Sequence, residues 1–318
     1  MEKRVLIEWP ELGLQATATL ATDKNPELCA DLWDSLPFES FMSNAVVTGS
    51  SMYCWTPIVS FAPIHHKELI CEAPIGRLRY GQADGNKIII QYGPCYDNVK
   101  GTVLGKVDDV CLDVLAQVGT RAMHSTYLSK EKLMVRFSRL GEEEGAKGPA
   151  YATLAGDSQA AQLCREIGEA SLEAATKEPQ ELIDLRNGKV SGSFGQYFST
   201  WEFAYSFLRD LSMYTLFGIA KFSRREEVNV QMAANLYQDI TPPYIWYLEE
   251  WGFAKLYGFS SRFTKLMQED ALSKEEFLLI LENLCRYTNM LSAWSYLMFP
   301  WGIGAAFQAE PKGGQDKS

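Results

Sequence analysis

His65 and His66 are adjacent and make up two of the chain's three histidines. Imidazole is the natural proton carrier near neutral pH. Pro63 before the pair and Lys67-Glu68 after it predict a loop or strand start, where a side chain can face a cleft. An acid/base or substrate-binding role for at least one ring is expected. The plainer alternative leaves one ring in solvent and the other on a backbone carbonyl. A metal site is not expected, because adjacent residues point apart and only His124 remains to join them.

Arg77 and Arg79 lie two apart in a predicted strand, so both face one side. Together they can hold a dicarboxylate through bidentate bonds. Alternatively, Leu78 and Tyr80 form the buried face and both arginines sit in water. Tyr53 and Trp55 share one side of MYCWTP, either as a wall for a flat ring or as core anchors. Tyr92, in QYGP, is expected to end a strand before a turn, with its hydroxyl reaching a cleft or capping the barrel. Ser50 and Ser51 follow Gly49, but no G-x-S-x-G elbow surrounds them. There is neither a G-x-G-x-x-G after a strand nor a Walker loop, so neither NAD nor ATP is implied and no cofactor is expected.

These residues sit between Ala45 and Tyr96, where short apolar runs such as Ala45–Thr48 and Lys87–Tyr92 alternate with Gly, Pro and Asp-Gly. That punctuation is all-β. Upstream, Val5, Ile7 and Trp9, then Leu12 to Leu20, alternate about Pro10-Glu11 as a hairpin with one wet face. Asn25 can cap a helix that has Pro26 at its first position and Pro37 beyond its end. Val107, Val110, Cys111, Val114 and Val118 predict a second amphipathic helix over 103–118. Leu133, Val135 and Phe137 then read as a strand. A small closed barrel with helices plugging its ends satisfies this pattern and hides the sheet edges.

The composition changes at Gly141 in GEEEGAKGPA, a charged Gly/Pro-rich linker. Beyond it the periodicity is helical: 163–175, 201–222, 226–237, 244–257 opened by Pro242-Pro243, and 277–298 behind the capping box Ser273-x-x-Glu276. The expected organisation is a barrel over 1–145, a helical bundle over 146–310 and a polar tail over 311–318. The bundle's dense aromatics suit a core or a homodimer contact.

With 30 basic against 40 acidic residues the net charge is −10, which disfavours nucleic acid as a partner. An anionic substrate must therefore meet a local concentration of cations. Seven cysteines without a C-x-x-C pair suit reduced thiols in the cytoplasm. No membrane span is expected.

The opening VLIEWPELGLQATATL, the turn TGSSMYCWTP, the segment IHHKELICEAPIGRLRYGQADGNKIIIQYGP and the helical half together resemble the imidazole-opine synthases, the cucumopine and mikimopine synthases. The likeness covers nearly the whole chain and rests on no short diagnostic motif. It implies an α+β protein of two domains: a cyclophilin-like closed β-barrel with two helices, then an all-α bundle. It also implies a Pictet–Spengler-type condensation of L-histidine with 2-oxoglutarate, without hydride transfer. In that chemistry His65 or His66 would carry protons, with Glu68 or Glu72 orienting the imidazole and raising its pKa. Arg77 and Arg79 would hold carboxylates, and Tyr53, Trp55 and Tyr92 would enclose the ring. A prolyl isomerase is the rival enzyme reading, but the Phe-His-Arg context of catalytic cyclophilins is missing. A non-catalytic small-molecule or peptide binder on the same barrel is the third.

Overall fold

A computed structural model of the chain describes residues 2–46, 48–82, 84–141, 151–190, 199–269 and 272–299. The expected linker and domain boundary near 145, and the polar tail, fall outside the described residues.

The N-terminal half is a closed antiparallel barrel. The first hairpin pairs β1 (Arg4–Trp9) with β2 (Leu14–Leu20). Its turn is completed by Gly13 at φ 61°, a left-handed position that suits glycine. The other barrel strands are β3 (Phe38–Asn44), β4 (Gly49–Trp55), β6 (Arg77–Gly81), β7 (Lys87–Cys95), β8 (Lys100–Val107) and β9 (Leu133–Arg139). The order β2-β1-β9-β3-β4-β7-β6-β8 returns to β2 through the β8–β2 pairing, which leaves no open edge. A short strand, β5 (Lys67–Leu69), pairs only with the start of β8 and stands outside the barrel wall.

Two expectations are corrected here. Ala45 and Thr48 lie between β3 and β4, not in a strand. Residues 103–107 are not helical but belong to β8, the strand that closes the barrel. Strand β8 is hydrogen-bonded along both edges, and Val103, Leu104 and Val107 are all buried. Such a strand loses its alternation and can imitate a helical period. The helix that follows, α2 (Leu112–His124), starts later and ends at the third histidine. It and α1 (Pro26–Asp34) plug the barrel, contributing Leu28, Leu32, Leu115, Val118 and Ala122 to its interior.

The second half is helical, and no strand occurs among its described residues. It comprises α3 (Gln159–Thr176), α4 (Gln180–Arg186), α5 (Thr200–Asp210), α6 (Phe217–Ser223), α7 (Val230–Ile240), α8 (Pro242–Glu250), α9 (Ala254–Gln268) and α10 (Lys274–Met298). A π-helical segment, Leu211–Leu216, joins α5 to α6. The run expected over 244–257 is divided at Gly252, whose φ of 93° no helix accommodates. Both halves of the capping box form at α10: the Glu276 amide donates to Ser273 Oγ, and the Ser273 amide donates to Glu276 Oε2. Nearly every residue of α10 after Leu279 is buried, so this helix is the axis of the bundle. Most of the aromatics are likewise consumed within one chain, among them Trp251, Phe253, Phe263 and Phe277. None of the described helices is long and apolar enough to cross a membrane.

Candidate functional site

Because side chains alternate across a strand, the barrel wall presents two different surfaces. Met52, Cys54, Leu78, Tyr80, Ile88 and Ile90 belong to the barrel core. The intervening Phe41, Tyr53 and Trp55 belong to the core of the helical half, with Ile89 packed against it. The outer faces of β3, β4 and β7 are therefore covered by the bundle. Here Tyr53 lies edge-on to Tyr296 of α10, with ring centres 5.5 Å apart. Arg286 of α10 crosses the same seam to donate from Nε to the Pro57 carbonyl at 2.9 Å.

A cavity of about 760 Å³ opens on this outer face. Its floor is the outward row of β4, β7 and β6, including Ser51, Tyr53, Arg79, Lys87 and Ile89. Phe61 to Ile64 and Lys67 form one wall, Asp97 to Thr102 another, and Lys221 of α6 reaches in from the bundle. The barrel interior is filled by its own side chains, so this cavity lies against the barrel and not within it.

Arg79 is 2% exposed. It donates from Nη2 to Ser51 Oγ at 3.0 Å and from Nη1 to Gln91 Oε1 at 3.3 Å, both neutral acceptors. Glu68 and Asp97 reach it only through space. Burial pulls its pKa down from the usual arginine value; Cys95, through its sulfur, opposes the shift first, and those carboxylates add to the opposition. A buried guanidinium with neutral partners keeps donors and charge for a bound anion. The opposing wall fits closely: a Cβ on Gly101 would stand 2.8 Å from Arg79 Cδ.

Lys87 is 7% exposed at the other end of the floor. Its Nζ lies 4.9 Å from the centre of the Tyr53 ring and 4.7 Å from that of Trp55. One carboxylate answers it, Asp84 Oδ1 at 3.3 Å. Burial drives the ammonium's pKa down and Arg209 adds to that, while Asp84 pulls it back up. The result is a sequestered amine that releases its proton more readily than an exposed lysine. Burial also pushes the Tyr53 phenol upward, with Tyr296 adding to the effect, so that phenol is a hydrogen-bonding group and not a base.

The other sequence candidates lie elsewhere. Trp55 is buried beneath Lys87 and is not part of the cavity surface. Tyr92 donates from its hydroxyl to Asn44 Oδ1 at 2.8 Å and packs against Gly119 of α2, where a Cβ would meet its ring at 2.5 Å. Arg77 is tied to Glu68 and donates from Nη1 to the Gly105 carbonyl at 3.0 Å, so those two hold each other. Glu72 is exposed. His65 and His66 are exposed and outside the cavity surface, although Pro63, Ile64 and Lys67 on either side belong to it. The His65 ring meets Glu27 Oε2 at 3.0 Å, and both side chains are half exposed.

Asn25 explains why this histidine segment stands where it does. Its side chain does not cap α1. Instead its Oδ1 accepts from the amides of His65 (2.9 Å) and His66 (3.0 Å), and its Nδ2 donates to the carbonyls of His66 (3.0 Å) and Val103 (2.6 Å). The pair is fixed by its backbone while its rings turn away. Among the described residues no group of three or more His, Cys, Asp and Glu is placed to hold a metal ion.

Sequence reading missed Lys87, Asp84 and Lys221. In KIIIQY the polar Lys87 and Gln91 stand in phase with each other and out of phase with Ile88 and Ile90. A buried strand with a polar outward row is the signal that was present for Lys87. Lys221 had none, because its place depends on how α6 docks.

Residues 160–298 match the family model described as the cucumopine synthase C-terminal helical bundle domain. The helical half is similar to that domain. The structure of McbB in complex with tryptophan is similar to this chain at a TM-score of 0.88 and 26% identity, covering 96% of this chain and 99% of that one. The likeness thus extends over the barrel as well as the cucumopine-type bundle. The solution structure of the hypothetical protein AF2241 from Archaeoglobus fulgidus covers 43% of this chain at 15% identity, and its TM-score of 0.31 carries no argument. No curated protein sequence matches the chain.

Proposed function

We propose that this chain is a Pictet–Spengler-type condensing enzyme that joins L-histidine to 2-oxoglutarate, giving an imidazole opine of the cucumopine or mikimopine kind. The bundle's kinship with cucumopine synthase and the McbB likeness support the condensing class. McbB in its complex holds an amino acid with an aromatic ring, which is the type of nucleophile such a reaction needs.

The observation that carries the choice of substrates is the charge of the cavity. On a chain of net charge −10, its surface among the described residues holds Lys67, Arg79, Lys87, Lys100 and Lys221 against Asp84 and Asp97. Histidine and 2-oxoglutarate bring three carboxylates between them, and the product keeps all three. Arg79 is the fork for one of them. Tyr53 offers a ring to an imidazole, and Phe61, whose faces are taken by Phe217 at 4.9 Å and Arg224 at 3.7 Å, adds an aromatic edge.

In the reaction the α-amine of histidine bonds to the keto carbon and water leaves, forming an imine. A carbon of the imidazole then attacks the imine carbon and closes a six-membered ring, and loss of the ring-carbon proton restores aromaticity. Holding both reactants at contact distance contributes much of the acceleration, on the order of 7–11 kcal/mol in intramolecular models. The reading includes a homodimer in the cytoplasm, with Trp246 (53% exposed) and Tyr214 (52% exposed) as contacts on the helical half.

The test is to mix purified protein with histidine and 2-oxoglutarate, without NADH, and to follow the product by mass and chiral chromatography. Condensation product that persists after metal chelation is expected. Product from tryptophan but not histidine would move the substrate assignment. No product with either amino acid, alongside turnover of a proline peptide, would favour the isomerase. Light scattering at micromolar concentration tests the dimer.

A further inference from the structure

We propose that the Lys87 amine forms a covalent imine with the 2-oxo acid and hands the keto carbon to the amino acid by exchange of amines. The proposal deepens the condensation reading above and rests on it.

The geometry singles out this lysine. It starts β7 with its side chain in the outward row, so the backbone aims Nζ at the cavity. Its direct partner on β4 is Trp55, whose ring forms part of its bed. Its direct partner on β6 is Gly81, which has no side chain to cover the amine from that side and which itself belongs to the cavity surface. The bed is held from below, since a Cβ on Gly85 would lie 2.8 Å from Trp55 Nε1. A lysine kept only for packing would have its charge fully answered. Here one carboxylate answers it among the described residues, Asp84, whose side chain is 60% exposed, and the Tyr53 and Trp55 rings lie under Nζ at 4.9 and 4.7 Å. Desolvation of this kind activates an amine as a nucleophile, because it favours the unprotonated form.

Arg79 supplies the register. It pairs directly with Ile89, two residues from Lys87 on the neighbouring strand. Its guanidinium reaches the other way along that strand, to Gln91 and to Ser51 opposite it, so Arg79 and Lys87 stand at the two ends of one row of the cavity floor. An oxo acid with a second carboxylate can place its keto carbon at Nζ with its length lying along that row towards Arg79.

The steps balance without a further reagent. The unprotonated Nζ attacks the keto carbon, and the carbonyl oxygen takes a proton, for which Asp84 at 3.3 Å from the amine is the relay. The hydroxyl takes a second proton through the same relay and leaves as water, and the Nζ lone pair forms the iminium; that proton is given back when the substrate iminium becomes the imine. The α-amine of the amino acid then adds to the same carbon and passes its proton to Nζ. The bond to Lys87 breaks, the lysine amine is released and the substrate imine remains for ring closure. The net change is that of direct imine formation: one carbonyl and one amine give one imine and one water.

The experiment is reductive trapping on the whole chain. Protein is incubated with 2-oxoglutarate alone, reduced with cyanoborohydride, and read by intact mass and peptide mapping. In parallel, the untreated protein is assayed for condensation with histidine. One reduced oxo-acid adduct per chain, on the peptide bearing Lys87, is the expected result. Lys87→Arg keeps a cation over the rings but no imine-forming amine, and it should lose that adduct with its melting temperature little changed. Product without an adduct, or adducts spread over exposed lysines such as Lys177 and Lys189, overturns the proposal and leaves the condensation reading standing. An adduct on Lys87 without condensation product supports the amine chemistry and removes histidine as its acceptor. Because trapping on the unaltered chain needs no variant, a misfolded Lys87→Arg would not spare the proposal.

Discussion

Lys87 and Trp55 are direct cross-strand partners, and the lysine Nζ lies 4.7 Å from the centre of the indole ring. The pair is buried on the outer wall of the barrel, where an unanswered charge is costly and a ring face is a partial answer.

Stability should register that buried amine. Desolvation places its folded pKa below the ordinary 10.5. Between the two values the unfolded chain binds more protons than the folded one, so this group's contribution rises with pH. At neutral pH Lys87→Met should equal or exceed the unaltered chain, by up to about 1–4 kcal/mol. The gap should narrow as pH climbs towards 10.5. Urea melts at about pH 7 and about pH 9.5 read the difference, and a gap that widens with pH would contradict the assignment.

Arg79 and Arg77 should separate cleanly although they lie on one strand. Arg79→Lys loses the fork and leaves Ser51 and Gln91 short of donors. It should raise the KM for 2-oxoglutarate roughly 10- to 100-fold, equivalent to about 1.4–2.7 kcal/mol of binding. Gly101→Ala should act in the same direction by pressing on Arg79 Cδ. Arg77→Ala frees Glu68 and should lower stability, with KM close to normal. Steady-state kinetics beside thermal melts make the comparison.

His65→Ala and His66→Ala should leave turnover within about 3-fold of normal, far from the 10²–10⁴-fold loss typical of a removed acid/base. Neither ring belongs to the cavity surface, and the His65–Glu27 contact is exposed on both sides. Asn25→Ala should do more harm than either, since it releases four backbone hydrogen bonds around the pair. Activity lost on removing either imidazole, with the fold intact, would return the acid/base role to the histidines.

The seam depends on Arg286. Its three nitrogens donate to Pro57, Asn283 and Glu282, and Glu282 also binds Arg224 at 2.9 Å. Arg224 in turn lies 3.7 Å over the Phe61 ring, which belongs to the cavity surface. Arg286→Ala takes the donor from the buried Pro57 carbonyl and leaves the partly buried Glu282 with Arg224 alone, and should cost about 3–5 kcal/mol. Chemical denaturation should show it, together with weaker substrate binding if Phe61 loosens.

Much of this architecture was legible because barrel cores and helical faces obey fixed periods. The hairpin at Val5–Leu20 and the capping box at Ser273 were visible as spacing alone. Strand β8 was not, since burial on both sides erases alternation and leaves apolar spacings that suit a helix equally well. The site was legible in its floor. Tyr53 and Arg79 carry the right chemistry on the right side of their strands, and both border the cavity. The histidines misled because sequence shows which groups titrate but not which way they turn, and here Asn25 decides that through a tertiary contact 40 residues away. Lys87 drew no notice because a lysine beside a turn ordinarily marks solvent. Only the bundle, laid across β4 and β7, makes it an interior residue.

That arrangement bears on inheritance. A binding site enclosed within a barrel would travel with the barrel when gene segments are exchanged. The cavity here is a joint between two halves, with Arg79 and Lys87 on one side and Lys221 on the other. Exchanging the bundle between relatives would replace one wall of the pocket while leaving the floor unchanged. Specificity in this architecture can therefore be shifted by recombination at the linker as well as by substitution. A barrel separated from its bundle would expose Phe41, Tyr53 and Trp55 to water, a hydrophobic wall on which no substrate could be enclosed.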